Sequence, residues 1–316
     1  MEKIKAAIVG YGNIGRHVLE AIQTAPDFEV AGIVRRNGDA DCPKELKEYK
    51  IVKNISQLPK PDAAILTVPS LKTEEYAVQI LSMGINTVDS FDIHDLIPET
   101  RKRIMKVAVE AGRVAVISAG WDPGSDSIVR ALMQAMAPRG TTYTDFGPGM
   151  SMGHTVAAKA VPGVKEALSI TIPLGTGIHR RMVYVEIIDG YKFEETAAAI
   201  KSDPYFVNDE THVVQVSSVE SLKDMGHGVR ITRKGVSGKT QNQLFEFGMK
   251  INNPALTAQL LVSAARASMR QKPGCYTMIE IPLIDYLCGD REDLIRRLSD
   301  TPSGLMRHLT GCVSPP

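Results

Sequence analysis

The stretch Gly10-Tyr11-Gly12-Asn13-Ile14-Gly15 constrains this chain more than any other. It directly follows the largely apolar strand-like run Ile4–Val9 and directly opens a helical run over residues 14–24. In such a strand–turn–helix the first glycine makes the tight turn and the second lets backbone approach a pyrophosphate. The third lets the helix pack on the strand. The helix N-terminus then offers N–H groups and partial positive charge to the phosphates. The bland alternative is a glycine-rich turn with no ligand.

The remainder of the first 120 residues repeats that alternation. Residues 29–34 read as a second strand, and 63–68, 87–89 and 114–118 as further strand candidates whose apolar rather than alternating character suits strands buried on both faces. Helical patterns over 72–83 and 98–111 lie between them, each closed by a glycine, Gly84 and Gly112, at the position just past the helix. Strand and helix in regular order predict right-handed crossovers and a doubly wound parallel sheet, an α/β Rossmann domain.

The end of the second strand separates NAD from NADP. An NAD-binding chain usually carries an acid about 20 residues past the glycines to hold the ribose 2′-hydroxyl. Here Val34-Arg35-Arg36 stands there. A carboxylate would repel a 2′-phosphate, whereas guanidinium forks bind its oxygens, so NADP is favoured over a solvated arginine pair.

After residue 122 the pattern changes. Strand-like runs at 167–172, 182–188, 213–217, 229–232 and 244–249, several of them alternating, surround one helix at 193–201. This predicts a second, α+β domain with a mostly antiparallel sheet, one face covered by helix. A long Ala- and Leu-rich helix over 253–270 and a strand over 276–281 follow. The expected divisions are 1–122, 123–252, and 253–316 returning to the first domain.

Chemistry-bearing residues gather where the parallel strands should end. Asp89-Ser90-Phe91-Asp92 follows one strand and Ser118-Ala119-Gly120-Trp121-Asp122-Pro123-Gly124 another. Ligands of open α/β sheets bind at the carboxyl ends of strands, and two carboxylates there can hold an ammonium and manage its proton. Asp122 reads equally well as a helix cap ahead of Pro123. Phe146-Gly147-Pro148-Gly149-Met150-Ser151-Met152-Gly153-His154 is a glycine-rich loop suited to close approach by a small substrate, or else an interdomain linker. Arg181 and His227 stand beside strands and read, on local grounds alone, as surface residues.

Composition excludes several classes. A net charge of +1 gives no attraction to nucleic acid or an anionic membrane. No run approaches the roughly 18 apolar residues of a membrane span, and the short, Gly-interrupted N-terminal apolar stretch makes a poor signal peptide. Cys42, Cys275, Cys288 and Cys312 are scattered without CxxC spacing, and the 7 histidines lack HxxxH spacing. That fits a reducing compartment, the cytoplasm, and suggests neither a disulfide framework nor a metal site.

Taken together, VGYGNIGR (9–16), VRR (34–36), TVDSFD (87–92), SAGWDPG (118–124), FGPGMSMGH (146–154), GHG (226–228) and NNP (252–254) resemble the meso-diaminopimelate dehydrogenase family. GWDPG followed by FGPGxSxGH is far more specific than the dinucleotide fingerprint. The resemblance covers nearly the whole chain.

It implies cofactor contacts from Gly10, Tyr11, Gly12, Asn13, Ile14, Gly15, Arg35, Arg36, Thr67, Pro69, Ser90, Asp92 and Trp121. It places Asp92, Trp121, Asp122, Phe146, Met152 and Gly153 around a reacting D-configured carbon, with Asp92 or Asp122 handling the proton. Thr171, Arg181, His227 and Asn253 would grip the distant L-configured amino-acid end. The activity implied is NADP-dependent oxidative deamination of meso-diaminopimelate with release of ammonia, by a homodimer whose second domain, 123–252, serves substrate binding and dimerisation. One departure stands out: the link from Thr171 to Arg181 is shorter than relatives often carry, which puts substrate breadth in question. Another Rossmann dehydrogenase of amino-acid pathways, or a silent NADP sensor, are the rival readings.

Overall fold

The computed structural model describes residues 2–38, 42–223 and 226–299. Two compact units form: Met1–Ile128 with Pro254–Pro316, as far as these are described, and Val129–Asn253.

The first unit carries the expected doubly wound sheet. Its strands are β1 (Ile4–Val9), β2 (Phe28–Val34), β3 (Ile51–Val52), β4 (Ala63–Leu66), β5 (Asn86–Asp89) and β6 (Val114–Val116), joined in space by a late strand at Gly274–Tyr276. Helices α1 (Asn13–Thr24), α2 (Ser70–Ser82) and α3 (Ile97–Glu110) connect them. Every pairing is parallel. The chain winds from β1 through β2 to β3 on one side, then from β4 through β5 and β6 to the late strand on the other. The reversal therefore falls between β1 and β4, where open sheets leave a crevice.

Alternation within β1 explains why both faces need cover. Ala6 and Ile8 belong to one core with Val18, Leu19 and Ile22 of α1, while Ala7 and Val9 belong to the other with Ala77, Ile80 and Leu81 of α2 and Ile104 of α3. Gly84 and Gly112 take φ of 75° and 62°, the left-handed geometry that ends α2 and α3.

The second unit holds two sheets rather than the single one expected. α4 (Ser125–Met136) leads into β7 (Arg139–Phe146), β8 (Gly149–Met150), α5 (Met152–Lys159) and the hairpin β9 (Val164–Gly175) with β10 (Ile178–Ile187). α6 (Phe193–Ser202), β11 (Glu210–Gln215), β12 (His227–Ser237) and β13 (Thr240–Ile251) complete it. One sheet runs β11-β10-β9-β8, with β10 and β11 parallel, and the other β13-β12-β7 is antiparallel. The polar β7 escapes recognition because all its residues are at least partly exposed, and α5 because Gly153 and two β-branched residues weaken its helical signature.

α7 (Asn253–Ser268) then covers the first unit's sheet. Ala258, Leu261, Val262 and Ala265 join the α1 core, and Arg266 grips Asp27 at 2.5 and 2.9 Å. β14 (Gly274–Tyr276) pairs with β6 two residues earlier than the sequence suggests. The reason is a capping box: Thr277 and Glu280 close a 3-10 turn over Met278–Glu280 and end the strand.

No helix among the described residues is long and apolar enough to cross a membrane. Cys42, Cys275 and Cys288 form no disulfide among the described residues, and Cys312 lies outside them.

Candidate functional site

The fingerprint loop has the shape its sequence demands. Gly10 sits at φ +95°, and a Cβ there would stand 2.7 Å from the carbonyl oxygen of Thr67. Thr67 holds the loop by donating from Oγ1 to the carbonyls of Val9 and Gly10, at 3.2 and 2.9 Å. A Cβ on Gly12, by contrast, would meet no atom within 4 Å, and Gly12 caps α1 without a side-chain bond. Open space over uncapped helix N–H groups is what a pyrophosphate needs, so a dinucleotide fits here. Beside it, burial and the nearby Glu45 push the Tyr11 hydroxyl up to about 12, so it stays protonated. At the end of β2 Arg35 is half-buried, bonded through Nη1 to the Gly38 carbonyl at 3.3 Å, and Arg36 is exposed.

The loops after β5 and β6 are tied together by Asp89. Its Oδ1 accepts the N–H groups of Phe91 at 2.9 Å and Ser118 at 3.2 Å, and its carbonyl accepts that of Ala119 at 2.7 Å. Ser118 takes φ of 57°, a turn that carries the chain into Gly120-Trp121-Asp122. Ser90 reaches this turn, since its Cβ would lie 3.7 Å from one added at Gly120. Asp92 is exposed, held by Ser70 Oγ at 2.6 Å, next to the Thr67–Pro69 segment that opens α2. Trp121 is 8% exposed. α4 begins at Ser125, and the Gly124 carbonyl takes the Ile128 N–H, so Asp122 stands in the turn two residues before Gly124.

Asp89 is buried, and its Oδ2 makes no hydrogen bond among the described residues. Burial pushes its carboxyl from 3.8 up to about 6, against the two amide bonds that lower it. The neutral acid therefore stabilises the fold fully below about pH 4, and that contribution is lost as pH rises through about 6. Asp89→Asn keeps an oxygen for the two amides. We expect it to match the wild type near pH 4 and to exceed it at pH 8 by on the order of 2 kcal/mol. Thermal melts across that range check this, and lower stability at both ends would contradict it.

The second unit assembles a different site. Thr171 of β9 and Arg181 of β10 are register partners, so their side chains share one face. The short link noted in the sequence is thus a tight hairpin, with Thr171 fully buried and Arg181 bonded through Nη1 to its Oγ1. Asp209, just before β11, accepts Arg181 Nε at 2.6 Å. The segment 146–154 runs from the end of β7 through a short Gly147-Pro148 connection and β8 into the start of α5. A Cβ at Gly149 would lie 2.1 Å from the Gly226 carbonyl oxygen and 2.8 Å from His227 Cα, so only glycine lets β8 pass beside His227. His227 is 8% exposed and pairs in register with Ile251, two residues before Asn253. Met152 and Gly153 open α5.

Three histidines surround this arginine, and all are held below the ordinary value. Burial pushes His154 down to about 4, with the Arg181 charge adding to it. Burial and then Arg181 lower His179, and burial leads again for His227, where the bond to the Gly149 backbone opposes it. His154 bonds Ser151 Oγ at 2.8 Å, and His179 Nε2 accepts the Phe146 N–H at 2.8 Å. Neutral imidazoles leave Arg181 as the cation of the cluster. Among the described residues no group of acids, cysteines and histidines could hold a metal.

Residues 4–89 match the oxidoreductase family with an NAD-binding Rossmann fold, and residues 120–180 match the diaminopimelic acid dehydrogenase C-terminal domain. A meso-diaminopimelate D-dehydrogenase of Bacteroides fragilis is 69% identical over 298 residues, 94% of this chain and 100% of the relative. The chain belongs to the meso-diaminopimelate D-dehydrogenase family. The diaminopimelate dehydrogenase of C. glutamicum, solved in complex with diaminopimelate, superposes with a TM-score of 0.81 at 29% identity, covering 94% of this chain and 99% of that one. An engineered D-amino acid dehydrogenase bound to NADP+ gives 0.74 at 28% identity, covering 93% and 99%.

In this member of the family three residues join the Arg181 cluster that sequence reasoning left unassigned: His154, His179 and Asp209. His154 lay within a motif already singled out. Asp209 meets Arg181 across 28 residues of chain, and nothing local announces such a pairing.

Proposed function

We propose that this enzyme catalyses the reversible, NADP-dependent oxidative deamination of meso-2,6-diaminopimelate at its D-configured centre, giving L-2-amino-6-oxopimelate and ammonia. The observation that carries the reading is the Arg181 guanidinium, held half-buried on Thr171 in a family member whose other unit bears the dinucleotide loop. A silent nucleotide sensor has no use for such a fork.

A bound nicotinamide cofactor would supply the hydride acceptor for the D-centre carbon. The protein's own part is binding, orientation and charge management. Arg35 and Arg36 are assigned to the 2′-phosphate, and the α1 N-terminus with Gly10–Gly15 to the pyrophosphate. Tyr11, Thr67, Pro69, Ser90 and Trp121 line the nucleotide. Asp92 and Asp122 receive the reacting ammonium, and one of them takes the proton released as the C–N bond becomes an imine. Water adds to that carbon and ammonia leaves. Trp121, Phe146, Met152 and Gly153 are assigned to the same end of the substrate. Arg181 takes the distant carboxylate through its fork, with Thr171, His227 and Asn253 completing its hydrogen bonds. Fixing that end determines which face of the reacting carbon is presented.

The near-neutral net charge of +1 and the scattered cysteines support the reading of a cytoplasmic enzyme that acts on small molecules. Family resemblance supports a homodimer. The test is absorbance at 340 nm with NADP+ and the meso, LL and DD isomers in turn. The meso and DD isomers offer a D-centre, but only meso pairs it with an L-configured distal end. NADPH formation with meso well above both others, matched by ammonia, is the expected result. Equal rates with LL would overturn the reading.

A further inference from the structure

Asp209 stands on a rigid support. Asp203 Oδ1 accepts the Tyr205 N–H at 2.8 Å, and its carbonyl accepts those of Phe206 and Val207 at 2.9 and 3.0 Å. The Asp209 N–H closes on the Phe206 carbonyl at 3.1 Å, and Thr211 Oγ1 donates to the Asp209 carbonyl at 3.2 Å. Phe206 is 1% exposed, and the Tyr205 and Phe206 rings meet His154 edge-on at 5.5 and 5.3 Å. The carboxylate is thus fixed where it meets Arg181, with the two side chains 22% and 12% exposed.

That pair is only half used. Arg181 commits Nε to Asp209 Oδ2 and Nη1 to Thr171, while Arg181 Nη2 and Asp209 Oδ1 make no hydrogen bond among the described residues. The charges cancel, and the neighbouring histidines His154, His179 and His227 are held towards their neutral forms. A plain carboxylate arriving here would add one net negative charge beside Asp209. An α-amino-acid end, carrying carboxylate and ammonium together, would add none and satisfy both remaining atoms.

We propose that Arg181 and Asp209 together read the zwitterion of the distant amino-acid centre, the guanidinium taking its carboxylate and Asp209 Oδ1 its ammonium. Asp209 is then a specificity-determining residue, selecting an α-amino-acid end over a simple carboxylic acid. This rests on the assignment of Arg181 to the distant carboxylate.

The test compares kcat/KM for meso-diaminopimelate and for D-2-aminopimelate, which has the same chain length and reacting centre but lacks the distant ammonium. Asp209→Asn should lower the value for meso-diaminopimelate by roughly ten- to a hundredfold, mainly through KM, as losing a charge-assisted hydrogen bond does. For D-2-aminopimelate it should hold steady or rise. Asp209→Ser, smaller and uncharged, must give the same pattern, with NADPH binding as the check that both variants fold. An equal fall for both substrates would make Asp209 a mere support for Arg181 and overturn the proposal, as would no fall for either. Arg181→Met separates the two layers. Loss of both substrates there, with Asp209→Asn unselective, sinks this inference alone. No loss for either substrate sinks the assignment of Arg181 and the inference with it.

Discussion

Arg181→Met is expected to lower kcat/KM for meso-diaminopimelate by roughly a hundredfold or more while leaving NADPH affinity unchanged, since truncating one partner of a half-buried charge pair costs about 2–5 kcal/mol. The side chain is 12% exposed and holds Thr171 and Asp209 at once. Methionine fills much of the same volume, so the loss reports on the fork rather than on a cavity. It also leaves Asp209 without its counter-charge in a partly desolvated place, which repels an incoming carboxylate as well as failing to attract it. Steady-state kinetics beside NADPH fluorescence titration separate this from unfolding, because nucleotide binding belongs to residues of the other unit. A loss of NADPH binding in parallel would mean the variant had failed to fold correctly. Unchanged kinetics would remove Arg181 from the site.

Replacing Arg35 and Arg36 together by serine should cost roughly a hundredfold in kcat/KM for NADP+, two charge-assisted phosphate contacts being lost. The value for NAD+, which lacks the 2′-phosphate, should move little. The structural basis is the end of β2, where these two side chains stand in the place usually held by a ribose-binding acid. Salt should narrow the gap between wild type and variant, because exposed charge such as Arg36 is screened. Equal losses with both cofactors would assign the arginines to something other than the 2′-phosphate.

How much of this was legible in the sequence differs between the units, for physical reasons. The Rossmann strands are buried on both faces, so they read as largely apolar runs without alternation, such as residues 6–9, and glycines at left-handed positions mark the helix ends. The second unit has strands with one open face. β7 is polar along its length and was missed, as was the division into two sheets, because pairing partners are set by long-range register. Thr171 and Arg181 illustrate the point. Each was named from family resemblance, but their direct opposition follows from the length of the β9–β10 hairpin, which only the fold reveals. Asp122 shows the converse: local rules offer a helix cap ahead of Pro123 with equal force, whereas α4 itself starts at Ser125. Asp209 and His179 carry no local signal, since each acquires its role from a strand or turn distant in the chain.

The most direct test of the central claim uses meso-diaminopimelate carrying deuterium only at its D-configured α-carbon, with NADP+ and the purified enzyme. The account predicts that the reduced cofactor carries the deuterium and that the oxo product has lost it, while substrate labelled only at the L-centre yields unlabelled NADPH. Deuterium appearing in the cofactor from the L-labelled substrate would contradict it.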